Sequence, residues 1–434
     1  MTEFSEDHLS GGRVDASSAV QFGSLLRDAR RRQGLSQAEL GGDKYSGSYI
    51  SHLESGRRVA TPEVIEFLSR RLGVSPLEWG VSPQGDPGGL VSSDSIEDLL
   101  VAERAWSEHD WAAAIQHSAQ AAAIALAAGD TGRHWEALYV QAQARFSSGD
   151  FVGAARLAEE LAEHETARKF GVARAQALSL ASVANRASDH LGWAVALGAR
   201  AVEAASAAPP IILAEALMAL VSAMFEAGHS AEESDPYLLR LAELSPRLNS
   251  EHSRGMIAWT IGTAAFMAGK VEVGREHHAR AKGQLDARRD LRLWLRFHRS
   301  AARCLLDAGI EDGVRDLVRT ASLGLEILGN SHDVVELRQV EAKLALLDGD
   351  AVEAARIISD VLDDPVLGAA DISRGSSEEI LAEAFQAMGR TAAARERFEL
   401  AAREYESEGR LRAAVDAWRK AARQEVPKDS LTTT

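Results

Sequence analysis

An all-α fold is expected for this chain, and three observations lead there. Helical periodicity in Ala- and Leu-rich segments runs over most of its 434 residues, with no convincing strand. Glycines recur about every 40 residues from Gly149 to Gly389. Near the N-terminus, two short amphipathic segments flank a tight polar turn. Together they predict an N-terminal five-helix domain over residues 20–80 and an α-solenoid of about eight helix pairs over residues 95–424. Residues 1–19 read as a disordered arm, 81–94 as a Gly, Pro and Ser-rich linker, and 425–434 as a disordered tail.

Bulk properties narrow the class. A hydrophobic content of 46% argues against wholesale disorder. A lone cysteine, Cys304, allows no intramolecular disulfide, and no apolar run resembles a signal peptide or a membrane span. A cytoplasmic protein without a membrane partner is expected. The net charge of −16 argues against nucleic acid only if it is averaged over the chain. Residues 20–80 carry nine Lys and Arg against seven Asp and Glu, so this window is +2 and the remainder −18.

In the N-terminal window, Phe22, Leu25, Leu26 and Ala29 fall at helical spacing, with Arg27, Arg30, Arg31 and Arg32 on the other face. Gly34 stops this helix. Ser36 caps the next, and Glu39 completes a capping box. Ala38, Leu40, Ile50 and Leu53 are expected to face one core. Pro62 begins a fourth helix that Gly73 ends, and residues 76–79 make a short fifth.

The segments SQAEL, SYISHLESG and TPEVIEFLSRRLGV, in that order, resemble the XRE group of lambda-repressor-like helix-turn-helix domains. That resemblance implies binding to double-stranded DNA. It places Gln37 on a phosphate and makes Ser46, Ser48, Tyr49 and His52 the base-edge candidates, with Gly47 permitting close approach. Lys44, Ser51, Arg57 and Arg58 complete the DNA-facing set, the two arginines lying where phosphates would be. The turn between Leu40 and Ile50 is one residue shorter than the common pattern. Ser, Tyr and His read bases less stringently than bidentate Arg, Asn or Gln, so no operator sequence follows.

Along the array, helices close at Gly149, Gly228, Gly269, Gly309, Gly349 and Gly389, with Ser188 filling the slot between the first two. Ala154, Gly274, Val314, Ala354 and Ala394 stand five residues after a closing glycine, small or slim enough for paired helices to pack closely. GDFVGAA from Gly149 and GDAVEAA from Gly349 resemble the tetratricopeptide turn. The last helix, over 411–425, carries Ala414, Val415 and Trp418 on one face and either caps the array or packs on a partner.

In that kind of array the first helix of each pair lines a groove. Counting back from the closing residues gives Tyr139 and Gln143, then Asn185, then Met218 and Ser222, then Trp259, Thr263 and Phe266. Arg296, Arg299 and Arg303 follow, and then Gln339 and Lys343. Apolar pockets, amides and a basic cluster suit an extended peptide. Three arginines at i, i+3 and i+7 repel one another unless an anion compensates, and a ligand carboxylate competes with Glu336 for that role.

The pairing of the two parts resembles the RRNPP group of peptide-responsive regulators. It implies transcription regulation in quorum sensing by a homodimer that takes up a short peptide or another small ligand. A scaffold that docks a protein partner and uses DNA as an address stays open, as does a regulatory enzyme of undetected type. No enzyme activity, cofactor or metal is expected. Residues 42–48 space two glycines like a phosphate loop but lack its neutralising lysine and a preceding strand. Glu276, His277 and His278 lack the i, i+4 histidine spacing, and Cys304 reads as core.

Overall fold

The computed structural model describes residues 16–58, 60–74, 93–370 and 374–424. All regular structure among them is helical. They form two compact units, one running up to Leu99 and including Gln120–His134, the other made of Leu100–Ala119 and the residues from Trp135 onward.

The first unit contains α1 (Ala16–Arg32), α2 (Gln37–Gly41), α3 (Gly47–Glu54) and α4 (Pro62–Leu72). The expected fifth helix at 76–79, most of the arm and linker, and the C-terminal tail lie outside the described residues. Residues 16–19, expected in the arm, already belong to α1. Leu26, Leu40, Ile50, Leu53 and Leu68 are fully buried together, each worth about 2 kcal/mol of transfer free energy. Ser36 caps α2 with the expected capping box. Ala38 is exposed rather than core. Gly47 lies beside it, where an added Cβ would sit 3.2 Å from the Ala38 nitrogen, so the close start of α3 against α2 requires glycine at that position.

The unit is also held by a charge that the hydrophobic pattern does not reveal. Glu54, 4% exposed, accepts hydrogen bonds from Arg30 at 2.5 and 3.0 Å and from Gln37 at 2.8 Å, tying α1 and α2 to the end of α3. Burial works against its charge, but Arg30, Gln37 and Arg27 outweigh it and hold the carboxyl below its usual range.

The remaining helices alternate in pairs. They are α5 (Ser93–Ser107) and α6 (Trp111–Ala127), α7 (Thr131–Ser148) and α8 (Phe151–Ala162), the short α9 (Glu165–Lys169), then α10 (Gly171–Ala187) and α11 (Leu191–Ala204). Next come α12 (Pro210–Glu226) and α13 (Ala231–Leu244), α14 (Glu251–Met267) and α15 (Val271–Gln284), and α16 (Leu291–Asp307) and α17 (Val314–Leu328). The array ends with α18 (Ser331–Leu347) and α19 (Ala351–Asp363), the short α20 (Pro365–Ala370), α21 (Arg374–Ala387) and α22 (Thr391–Ser407), and finally α23 (Leu411–Arg423).

The repeat turn works as the sequence implies. Gly149 takes φ +98°, and the Asp150 carboxylate then accepts the Gly153 N–H, capping α8. Ala154, Val314, Ala354 and Ala394 are all fully buried. The copy after α10 corrects the register. Asp189, not Ser188, takes the left-handed conformation (φ +58°), and His190 N–H bonds to Asn185 as Asp150 N–H bonds to Arg145. Asp tolerates that region better than most residues, which is how the slot is filled without glycine.

Replacing Glu54 by Gln is expected to leave Arg30 uncompensated and to cost about 3 kcal/mol. Amide exchange across residues 22–72 in the full chain should accelerate by roughly a hundredfold at neutral pH. Because the native Glu54 carboxyl is depressed, the wild type should lose this advantage as pH falls through that lowered range, and the variant should not.

Candidate functional site

On the helix-turn-helix, the exposed edge of α3 carries Ser46, Ser48 and His52, and Lys44, Arg57 and Arg58 stand exposed around it. Gln37, Gly47, Tyr49 and Ser51 are partly buried. The Ser46 hydroxyl caps α3 by accepting the Tyr49 N–H at 3.1 Å. Gln37 has its amide fixed by Glu54. The Arg57 and Arg58 N–H groups both donate to the His52 carbonyl, at 3.0 and 3.2 Å, after Gly56 turns the chain at φ +67°. The Tyr49 ring stacks on Tyr45 at 5.2 Å, and the Arg58 guanidinium lies 4.9 Å from its centroid.

In the array, Tyr139 stacks on Trp135 at 5.1 Å. Burial, reinforced by the Glu215 charge, pushes its phenol far up. Gln143, Met218 and Ser222 are partly buried. Trp259 donates to the Ser300 hydroxyl at 3.1 Å; Thr263 bonds His278 at 3.2 Å, and Phe266 packs on the same imidazole. Two expected amides lie inside the packing. Asn185 donates to Glu159 and the Ala181 carbonyl, a consequence of the register beginning at Asp189, and Gln339, 2% exposed, donates to Ser377 of α21. The α10 stripe instead passes through Gln176 and Ser179, both half-buried.

The arginines have an internal partner that the sequence reading did not name. Asp333, 1% exposed, accepts from Arg292 at 2.8 Å, Arg296 at 2.6 Å and Arg299 at 3.1 Å. Burial opposes its charge, but the three guanidiniums hold the carboxyl far below its usual range. Arg299 also pairs with Glu336, whose carboxyl is drawn down to about 2 against its burial by Arg299, His332 and Arg303. Arg303, 3.7 Å from Asp307, shares that carboxylate with Lys343. Five cations thus face three carboxylates, a net +2, and Arg303 and Lys343 share the single carboxylate of Asp307. An i, i+3, i+7 count along α16 finds the bases; a partner 34 to 41 residues away carries no local signal.

A second charged contact joins turns far apart in sequence. Asp189, at the α10–α11 turn, accepts from Arg410, at the α22–α23 turn, at 2.7 Å. Glu408 lies 3.3 Å from the same guanidinium and accepts the Gly375 N–H. Two carboxylates share one cation beside a cavity of about 340 Å³ lined by Ser188, Asp189, His190, Arg374, Glu404 and Glu408. Burial, against the pull of Arg410 and aided by Asp189 and Glu404, pushes the Glu408 carboxyl up to about 7.

Residues 21–79 match the family model of a helix-turn-helix domain. No curated protein matches the chain. Among solved structures, the chain is similar to PlcR of Bacillus thuringiensis in complex with the peptide PapR7 and DNA, at 12% identity and TM-score 0.33 over 71% of this chain and 95% of that one. It is also similar to a Rap protein complexed with competence and sporulation factor, at 10% identity and TM-score 0.45 over 94% and 99%. A third is the Rap conjugation regulator of plasmid pLS20 with its Phr* peptide, at 14% identity and TM-score 0.46 over 85% and 95%. Among the described residues the chain is all-α, and a helix-turn-helix domain precedes an array of paired helices. No described helix is long and apolar enough to cross a membrane. Cys304 has its thiol pushed up to about 12, chiefly by burial, which favours the protonated form.

Since the native Glu408 carboxyl sits above its ordinary 4.5, it favours the folded array at low pH and costs stability as pH rises through about 7. Glu408→Gln should therefore melt above the wild type at about pH 8, with the difference closing near pH 5, in calorimetry of the full chain.

Proposed function

We propose that the chain is a DNA-binding transcriptional regulator, acting as a homodimer, whose array takes up a short signalling peptide and thereby changes operator binding. The observation that carries this reading is the joint presence of two surfaces in one chain. One is the exposed edge of α3 with Ser48 and His52, rimmed by Lys44, Arg57 and Arg58. The other is a stripe of Tyr139, Met218, Trp259 and Phe266 that ends in the cation excess at Arg303 and Lys343. On DNA the arginines hold phosphates and set the register, while Ser48 and His52 face base edges. In the array, apolar side chains of a peptide pack on the aromatic stripe and its carboxylate meets Arg303. Dimerisation is supported by the modest DNA surface that one such domain buries and by the exposed Leu411, Val415 and Trp418 on α23.

Selection of bound fragments from random duplex DNA should yield one enriched motif with two-fold symmetry, and affinity should fall by orders of magnitude over a few-fold rise in salt. Arg57→Ala should weaken binding to every duplex, whereas His52→Ala should alter the motif. No enriched motif would remove the DNA reading, and light scattering that gives a monomer both free and on DNA would remove the dimer.

For the ligand, peptides and small molecules retained by the purified protein are identified by mass spectrometry and added back in operator-binding assays. Arg303→Ala should blunt the response with little change in melting temperature, because its ion pair to Asp307 is a loose one at 3.7 Å. Asp333→Asn should lower stability by about 3 kcal/mol whatever the ligand does. An unchanged ligand response in Arg303→Ala would abandon the groove assignment, and retention of a folded protein partner alone would favour the scaffold reading.

A further inference from the structure

We propose that Tyr49 is the platform that positions Arg58 for the DNA backbone rather than a reader of base edges, through a row of stacked rings that carries a cation at each end. The inference rests on the DNA-binding reading above and assigns roles within that surface.

Tyr49 lies in the first turn of α3, with its N–H held by Ser46 and its half-buried ring packed against the domain core. Tyr45 stacks on it at 5.2 Å and 17°, and Phe67 of α4 meets Tyr45 edge-on at 5.1 Å. The row therefore runs from α3 across the turn to α4 and cannot swing as a single exposed side chain would. At one end the Arg58 guanidinium lies 4.9 Å from the Tyr49 centroid. At the other, the Lys44 ammonium lies 5.8 Å from both the Tyr45 and the Phe67 centroids. A ring engaged by a second ring and by a guanidinium has its π surface occupied by protein, which leaves the hydroxyl as its remaining means of reading a base.

Three other arginines of the domain are committed elsewhere, and Arg57, beside Arg58, rests on no ring among the described residues. Arg30 and Arg27 serve Glu54, and Arg71 donates to the Glu39 carbonyl at 2.8 Å. Arg58 has no carboxylate within ion-pair distance among the described residues, while its backbone N–H is fixed on His52. A long side chain with no ion pair loses much conformational freedom on meeting a phosphate. Resting on an aromatic face removes part of that loss beforehand and leaves the planar N–H fork open at its edge for two phosphate oxygens. Such a contact is blind to sequence, so the platform sets affinity and leaves preference unchanged.

The test uses the full chain with Tyr49→Phe, Tyr49→Trp, Tyr49→Leu, Arg58→Ala and the Tyr49→Leu/Arg58→Ala pair. Each is assayed by selection from random-sequence duplex DNA and by affinity for one enriched and one unrelated duplex across a salt series. Tyr49→Phe and Tyr49→Trp should keep the wild-type motif and bind within about twofold of it, because the aromatic face survives. Tyr49→Leu should weaken both duplexes by about three- to fivefold. Arg58→Ala should weaken both duplexes and reduce the salt slope by about one. The pair should bind no worse than Arg58→Ala alone. A changed motif in Tyr49→Phe would show that the hydroxyl reads a base and would overturn the proposal, as would additive losses in the pair. If Tyr49→Leu fails to fold, judged by its melting curve, Tyr49→Phe and Tyr49→Trp decide the matter. A wild type that enriches no duplex fails the DNA-binding reading itself, an outcome distinct from any of these.

Discussion

Three guanidiniums on one face of α16 would drive it from its neighbour were it not for a single buried carboxylate on α18. Asp333 accepts from Arg292, Arg296 and Arg299 together. It also closes the capping box of α18 by accepting the Asn330 N–H, and both Asn330 and Arg292 reach the carbonyl of Ser147 at the end of α7. One side chain thus sets where α18 begins, fixes its register against α16, and ties both to a turn 145 residues earlier than Arg292. Desolvating these ions is costly, and their mutual attraction repays it only while every partner is present. The array is therefore specific in register at this point and intolerant of losing any one member.

The same accounting locates where charge is left over. Asp333 serves three cations, with Glu336 also on Arg299; toward Arg303 and Lys343 a single carboxylate serves two cations, and at the Arg410 contact a single cation serves two carboxylates. These two places hold opposite surpluses on contacts that join elements distant in sequence. A ligand can shift such an array only by binding one arrangement better than another. Asp189, like His109, holds a left-handed backbone where most described turns place glycine, and it also uses its carboxylate to bridge 221 residues.

The helix-turn-helix repeats the principle at smaller scale. Glu54 is buried at the end of α3 and collects Arg30 and Gln37, so two polar side chains that a sequence reading turns toward solvent or phosphate are partly consumed in holding the helices together. Lys44 and Arg58 rest on aromatic rings, as does Arg71, which also donates to the Glu39 carbonyl, while Arg57 stands exposed. What each cation touches, and not its position along a helix, tells the internal pairs from the exposed ones.

The sequence by itself determined the helical class, the order of the two parts, the repeat length, the capping of α2 and the small residues where paired helices meet. These depend on periodicity and on turn chemistry within a few residues, which a linear reading captures. Tertiary structure alone decided that Ala38 is exposed beside Gly47, that the α10 register starts at Asp189, and that Asn185 and Gln339 are inward. It also decided that Asp333 pairs with Arg292, Arg296 and Arg299 of α16 and not with Arg303. Each of these turns on a partner well outside the local helix turn or on a one-residue shift of register, and a helix turns by about 100° per residue, so such a shift carries a side chain from the surface to the core.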